Sequence, residues 1–190
     1  MPRWDEVAQQ SAQANMAHQG APGDPRSPFG VPAGRIPVEN RVDPGADTLV
    51  KINKYGLPPQ KGDRVFQLAS EALGAFQALR LKALAAGFDK ELFTLASAYR
   101  GQPQQNGLKA TANQEHGPKA SGKWTAKLSE HITGRTFDLN LGLPNDAVYA
   151  IWGDFEGLPS YEWLKANAPD FGLNPYSTEP WHWTYNVKDQ

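Results

Sequence analysis

The sequence predicts an α+β fold: a single domain with a mostly antiparallel sheet flanked by helices, preceded by an irregular N-terminal arm. Helical and strand patterns are mixed along the chain without the regular alternation that produces parallel βαβ units. Residues 136–141 alternate polar and apolar side chains, as a half-buried strand does. A chain of 190 residues is long enough to bury one full core and still carry an arm.

The N-terminal region, residues 1–48, is predicted to be an arm or linker. Residues 1–19 are rich in alanine and glutamine and carry no chemical motif. Residues 20–48 are dense in proline and glycine, which suits a segment draped over a domain and not a core element. The folded domain is therefore expected to span residues 49–190.

The first elements of the domain are predicted as a helix, a strand and a long connection. Asp63 can cap a helix whose apolar positions run from Val65 to Ala83 and which ends at Gly87. The segment "ELFTLASAYR" indicates a strand ending at Arg100. Residues 101–122 are polar and glycine-rich, so we expect an irregular connection that is either functional or disordered.

The alternating strand that follows carries an unexpected carboxylate. Phe137, Leu139 and Leu141 should face the core, while Asp138 lies on the opposite face. Strand propensity disfavours aspartate, so another interaction must justify it. Further helices are predicted at 145–156 and 160–168, and "EPWHWTYNV" indicates a final strand from about residue 181.

The composition excludes several classes of function. The chain has no cysteine, which excludes disulfides, thiolate metal sites and a cysteine nucleophile. Its net charge is −1 and its basic residues are scattered, so neither a nucleic-acid surface nor a polybasic membrane patch is expected. No apolar run is long enough for a secretory signal or a membrane span, so the chain is expected to be soluble.

The four histidines fall into two groups. His131 and His182 have carboxylates nearby, whereas His18 and His116 lie in polar, loop-like sequence and are not expected to bind metal, although His116 could approach a substrate. Two imidazoles and one carboxylate form a recognised ligand set for catalytic zinc. Glu179, three residues before His182, would remain to accept a proton from water.

The spacing of His131 and Asp138 requires an interruption of the strand between them. On one uninterrupted strand His131 and Asp138 would point to opposite faces, so a turn at residues 133–134 must redirect the histidine. Pro180 keeps Glu179 extended, and no HExxH helix occurs. Each residue also has an ordinary explanation when taken alone; Asp138, for example, could pair with Arg135.

Four motifs in order carry a resemblance to a known family. Ser-x-His-x-x-Gly-x-x-x-Asp begins at Ser129, and Glu-Pro-Trp-His-Trp begins at Glu179. "SAYR" is similar to the family's Ser-Gly-Tyr-Arg, and "YEWLKANAPDFGLNPY" to the segment before the last motif. Over residues 63–187 the chain resembles the zinc D-alanyl-D-alanine peptidases, which include carboxypeptidases and dipeptidases of vancomycin resistance and several phage endolysins.

The resemblance implies a role for each matching residue. One zinc ion would be bound by His131, Asp138 and His182. Glu179 would act as general base and then as acid, and Arg100 would stabilise the oxyanion. Contacts with the substrate are assigned to a further set: Ser129, Gln105, Trp181 and Tyr99, the last of which also suits a core position.

Three departures from the family pattern leave the substrate specificity open. Ala98 replaces a glycine, Gly101 replaces the usual serine after the arginine, and Thr136 replaces a small alanine. These positions concern the substrate side more than the metal, so the resemblance still implies hydrolysis.

The implied function is zinc-dependent hydrolysis of D-alanine-containing amide bonds in peptidoglycan stem peptides, by a D,D-carboxypeptidase or an endopeptidase that degrades cell wall. One alternative is a non-catalytic module that keeps the fold and metal and only binds cell wall; the presence of Glu179 favours the enzyme. A glycan hydrolase would need two carboxylates flanking a sugar bond, and no pair is as well supported.

The expected partners are stem peptides, with no nucleic acid and no membrane insertion, and a delivery or inhibitor protein is a further candidate. Without a secretory signal, the protein is expected in the cytoplasm or delivered to the cell wall or periplasm by phage lysis or contact-dependent secretion.

Overall fold

The computed structural model describes residues 29–117, 128–143 and 155–188. Within these ranges the chain forms six strands: β1 (Val50–Ile52), β2 (Phe66–Leu68), β3 (Thr94–Ser97), β4 (Thr136–Asn140), β5 (Leu173–Tyr176) and β6 (Glu179–Tyr185). It also forms three α-helices: α1 (Ser70–Ala85), α2 (Gln102–His116) and α3 (Pro159–Asn167). Single turns of 3-10 helix lie at Val38–Asn40, Ala46–Thr48, Glu130–Thr133 and Ala168–Phe171.

The strands pair into two antiparallel sheets. β1 and β2 form a small ribbon, and the main sheet has the order β3-β4-β6-β5. Every strand pair is antiparallel, and helices pack on the sheet. The predicted α+β fold with an antiparallel sheet is therefore confirmed.

The two central strands, β4 and β6, have two different faces. Phe137 lies opposite Trp183, and both are almost completely buried in the core. Asp138 lies opposite His182 and therefore projects from the other face. The prediction that Phe137, Leu139 and Leu141 face the core is confirmed, since each is at most 3% exposed.

The first helix begins later than predicted. Its core-facing side chains recur every three or four residues and include Phe76, whose ring meets that of Phe137 at a centroid distance of 5.4 Å. The placement of Val65 in this helix was wrong, because residues 66–68 alternate and pair with β1 instead. Asp63 does not cap the helix; its carboxylate accepts hydrogen bonds from Gln60 N–H and the Asn53 amide.

The prediction of an irregular connection over 101–122 was wrong for residues 102–116, which form α2. Pro103 occupies its first turn, where the missing N–H costs nothing, and glutamine, leucine, lysine and alanine, which are good helix formers, are among the residues that follow. The helix ends at Gly117, whose φ is 78°. Its sequence looks loop-like because only a few side chains, such as Gln105 and Ala112, are buried. Residues 118–122 lie outside the described residues.

The remaining predictions are mostly confirmed. The predicted helix at 160–168 corresponds to α3, and the final strand is β6, which starts two residues early. The strand in "ELFTLASAYR" is β3, which ends at Ser97. Strands β1, β2 and β5 were not predicted, since they have three or four residues and β5 contains Pro175, which an edge strand tolerates. The helix predicted at 145–156 falls mainly on residues outside the described ranges.

Residues 29–48 lie against the domain. Pro32 forms an isolated antiparallel bridge with Val187, and Ala33 N–H donates to the Asn186 carbonyl at 2.9 Å. The Tyr99 hydroxyl donates to Asp43 Oδ1 at 2.9 Å. The division of the chain at residue 48 stays a prediction, and residues 1–28 are outside the described part. In the described ranges, no helix is both long and apolar enough to cross a membrane.

We expect Gly134→Ala to destabilise the protein by about 1–2 kcal/mol or more, because Gly134 has a φ of 68° in the left-handed region. An added Cβ would also lie 2.6 Å from Leu49 Cδ2. Urea unfolding measures the loss. In the control Gly74→Ala, in α1, the new Cβ would have no described atom within 4 Å apart from its chain neighbours and the backbone of its own helix, and a gain of about 0.5–1 kcal/mol is expected. Equal effects of the two substitutions would contradict this account of the turn.

We expect Tyr99→Phe to lower the free energy of unfolding by about 1 kcal/mol, because it removes the hydrogen bond to Asp43. In an Asp43→Ala background the same substitution should have little effect, since the acceptor is already absent. Urea unfolding of the four proteins of this cycle provides the measurement. Additive losses would mean that the hydroxyl does not act through Asp43.

Candidate metal centre

The three side chains predicted as metal ligands meet at one point. His131 comes from the 3-10 turn Glu130–Thr133, Asp138 from β4 and His182 from β6, and their ligand atoms all lie within 4.8 Å of one another. Asp138 Oδ1 is 3.3 Å from His131 Nε2 and 3.2 Å from His182 Nδ1. The sheet register and the turn thus place two imidazoles around one carboxylate.

The turn before β4 redirects His131. Ser129 caps it by accepting a hydrogen bond from His131 N–H at 3.4 Å, and Gly134 ends it in the left-handed conformation. His131 is fully buried beside the face of β4 that carries Asp138. Asp138 does not pair with Arg135, whose guanidinium contacts Glu71 at 2.9 Å instead.

Each imidazole has an outer nitrogen, which points away from the cluster, and a hydrogen-bond partner that fixes the proton on this nitrogen. His131 Nδ1 lies 2.7 Å from the Ala98 carbonyl, which can only accept, so Nδ1 carries the proton and Nε2 presents its lone pair to the cluster. His182 Nε2 lies 3.4 Å from Glu130 Oε2, which leaves Nδ1 facing inward. Such outer contacts are typical of metal-binding histidines.

The inner atoms, which face into the cluster, have no hydrogen-bond partners among the described residues. His131 Nε2, Asp138 Oδ1 and His182 Nδ1 are buried, and among the described residues none of them has a hydrogen-bond partner. They approach one another to 3.2–3.3 Å, but in directions that do not satisfy hydrogen-bond geometry. Buried polar atoms rarely remain unsatisfied, and one cation between them would satisfy all three. Two imidazole nitrogens and a carboxylate oxygen fit zinc.

The charges of the cluster favour a cation. Burial alone would raise the pKa of Asp138, but the neighbouring His131 and His182 outweigh it and hold that pKa far below its usual value. Burial lowers the pKa of His131. Burial would also lower the pKa of His182, but Asp138 and Glu130 outweigh it and raise that pKa to about 9. The cluster therefore attracts positive charge, as a proton or as a metal ion.

Glu179 and Arg100 border the three residues. Glu179 starts β6, as the proline after it predicts, and its Oε2 lies 3.4 Å from His182 Nδ1. Its side chain is one-third exposed, and burial raises its pKa although His182 opposes the shift. The Arg100 backbone N–H donates to the His131 carbonyl at 3.3 Å. The guanidinium charge adds to the lowering of the His131 pKa by burial and, like His182, opposes the rise of the Glu179 pKa. A carboxylate and a guanidinium thus accompany the cluster.

The four predicted substrate contacts have different surroundings. The Ser129 hydroxyl caps the turn, and the Tyr99 hydroxyl binds Asp43. Gln105 is buried in the first turn of α2, and the half-buried Trp181 ring lies 5.6 Å from that of Phe155. Their roles toward a substrate stay predictions. His18 is outside the described residues, and of His116 the structure describes the backbone at the end of α2.

A buried carboxylate that the sequence motifs did not predict, Glu130, lies behind His182. Its Oε1 accepts from Arg35 Nε at 2.9 Å and Arg41 Nη2 at 3.1 Å, and its Oε2 accepts from Thr184 Oγ1 at 2.8 Å. Burial would raise the pKa of Glu130, but the hydrogen bonds from His182 and Thr184 outweigh it and lower that pKa to about 2. Its position next to His131 was the one available signal, because the arginines lie about 90 residues away in the sequence.

The fold has solved counterparts. The chain is similar to the LdcB LD-carboxypeptidase (TM-score 0.57, 21% identity, covering 80% of this chain and 72% of that chain). It is similar to the vancomycin resistance D,D-pentapeptidase VanY in complex with Zn(II), with a TM-score of 0.50 and 21% identity over 84% of this chain and 87% of that chain. It is also similar to VanYB in complex with D-alanine-D-alanine, with a TM-score of 0.52 and 22% identity over 84% of this chain and 86% of that chain. At these identities the likeness supports the fold.

The sequence comparisons identify the family. No curated protein matches the chain. The family model "VanY: D-alanyl-D-alanine carboxypeptidase" matches residues 65–188, which is more than half of the chain and includes all three residues of the cluster. The chain therefore belongs to the VanY D-alanyl-D-alanine carboxypeptidase family.

Proposed function

We propose that this protein hydrolyses amide bonds of D-alanine in peptidoglycan stem peptides with one zinc ion held by His131, Asp138 and His182. The observation that carries the proposal is the set of three buried inner atoms that face one another without hydrogen-bond partners among the described residues. Membership of a D-alanyl-D-alanine carboxypeptidase family supports the reaction. Related structures that contain Zn(II) and D-alanine-D-alanine support the metal and the substrate.

Zinc in such a site supplies Lewis acidity and a water whose pKa is lowered to about 7. The chain's own residues supply the proton transfers. The Glu179 carboxylate lies beside His182 and is partly exposed, so water and substrate can reach it. It accepts the proton of the attacking water and delivers it to the leaving nitrogen as the C–N bond breaks.

Arg100 is proposed to stabilise the carbonyl oxygen as it becomes negative. Its backbone is fixed to the turn that carries His131, and its Nε is buried without a hydrogen-bond partner in the described part of the chain. A positively charged donor that is already in place does not need to reorganise during the reaction. Its charge also acts on Glu179 and favours the ionised base.

Mass spectrometry of muropeptides tests the proposal. Purified pentapeptide monomers and crosslinked dimers are incubated with zinc-loaded protein, and a chelated sample serves as the control. Loss of one alanine from the monomer identifies a carboxypeptidase, and conversion of dimers to monomers identifies an endopeptidase. If neither substrate gives a metal-dependent product, the proposal is wrong and a cell-wall-binding module becomes the better interpretation.

Two variants separate metal binding from proton transfer. Glu179→Gln should retain zinc and lose about two to four orders of magnitude in hydrolysis rate, because it removes the general base. Asp138→Ala should lose both zinc and hydrolysis, because it removes a ligand oxygen and a charge. Zinc content and muropeptide turnover are measured for both. Full hydrolysis by Glu179→Gln would exclude its role as the base.

A further inference from the structure

We propose that Arg35 and Arg41 are positioning residues of the metal centre, because they hold the buried Glu130 that orients His182. Both arginines precede the segment 65–188 that matches the family model, so the N-terminal region would complete a site that the family motifs do not fully encode. The inference rests on the proposed zinc site and adds residues that act on it from outside the ligand set.

The contacts form a continuous chain from the arginines to the ligand. Glu130 Oε1 accepts from Arg35 Nε at 2.9 Å and Arg41 Nη2 at 3.1 Å, and Glu130 Oε2 lies 3.4 Å from His182 Nε2. Thr184 Oγ1 donates to the same Oε2 at 2.8 Å and lies 2.9 Å from Thr136 Oγ1. Each carboxylate oxygen thus has two partners, and the one that faces His182 has little freedom to turn.

Glu130 requires these partners because its side chain is completely buried. A buried carboxylate that loses its counter-charges is strongly unfavourable and will move from its position. A displaced Glu130 would be a poorer acceptor for the His182 Nε2–H. The imidazole would then lose the contact that directs the Nδ1 lone pair toward Asp138.

Further contacts hold both arginine side chains in place beside Glu130. Arg41 is only 10% exposed and also donates to the Leu128 and Ile36 carbonyls, at 2.7 and 3.0 Å. Arg35 lies over the Tyr176 ring, with its guanidinium carbon 3.7 Å from the ring centre. The Tyr176 ring is in turn 5.5 Å from the His182 ring. The N-terminal segment therefore supports His182 from two sides, through Glu130 and through Tyr176.

Zinc affinity, measured on the full chain by competition with a chromogenic chelator, tests the proposal. We expect Arg35→Ala, Arg41→Ala and Glu130→Gln each to weaken zinc binding by about 10–100-fold, as loss of an outer-shell partner typically does. The cobalt-substituted variants should also show a changed visible absorption spectrum, since the orientation of His182 changes. Arg135→Ala is the matched control: it removes an arginine–glutamate pair of similar length at the surface, and zinc affinity should not change.

A double substitution distinguishes positioning from general stabilisation. If the arginines act through Glu130, Arg35→Ala should have little further effect on zinc affinity in a Glu130→Gln background. A full additional loss there would overturn the proposal. Circular dichroism checks that each variant is folded. If Arg41→Ala does not fold, Arg35→Ala alone tests the positioning role, because the Arg35 side chain is 39% exposed and its removal disturbs the core less.

The outcomes separate this inference from the proposed function. Tight zinc binding by the wild type together with unchanged binding by Arg35→Ala and Glu130→Gln would overturn the positioning role and leave the proposed zinc site intact. A wild-type protein that does not bind zinc would overturn both.

Discussion

The antiparallel register of β4 and β6 is the constraint on which both the core and the candidate site depend. It sets Phe137 opposite Trp183 on one face and Asp138 opposite His182 on the other. Because strand side chains alternate with a period of two, a slip of one residue would bring the carboxylate into the core and the aromatic ring into the candidate metal site. Burial of the aromatic pair therefore fixes the register that places the two candidate ligands opposite each other. The same packing that stabilises the core thus sets the geometry of the site.

Two carboxylates of this site are stabilised by different kinds of positive charge. Glu130 is paired with two arginines, whose charges belong to the chain itself. Asp138 has two imidazoles, whose charge can change, and its inner oxygen has no hydrogen-bond partner among the described residues. The chain itself supplies the positive charges around Glu130, whereas the surroundings of Asp138 suit a cation that can exchange. The difference explains how two acids can lie beside the same His182 and have different roles.

Local pattern and motif order predicted the residues of the cluster, and residues distant in sequence account for what was missed. The alternation around Asp138, the turn at Gly134 and the proline after Glu179 are local signals, and the structure has the corresponding strand, turn and extended segment. The pairing of Glu130 with two arginines joins residues about 90 positions apart in the sequence, and no local periodicity predicts such a contact. Helix α2 was missed because most of its side chains are polar, so its amphipathic signal is weak.

Pro175 in β5 has a consequence for the solubility of the folded chain. β5 is the outer strand of the main sheet beside β6, and an outer strand exposes unpaired backbone groups that can recruit another molecule. A proline offers no N–H to an incoming strand, and the register irregularity between Pro175 and Tyr176 disturbs the regular spacing of the remaining groups. Neighbouring molecules therefore have little opportunity to extend this sheet, so the folded chain is protected at that edge against self-association through strand pairing.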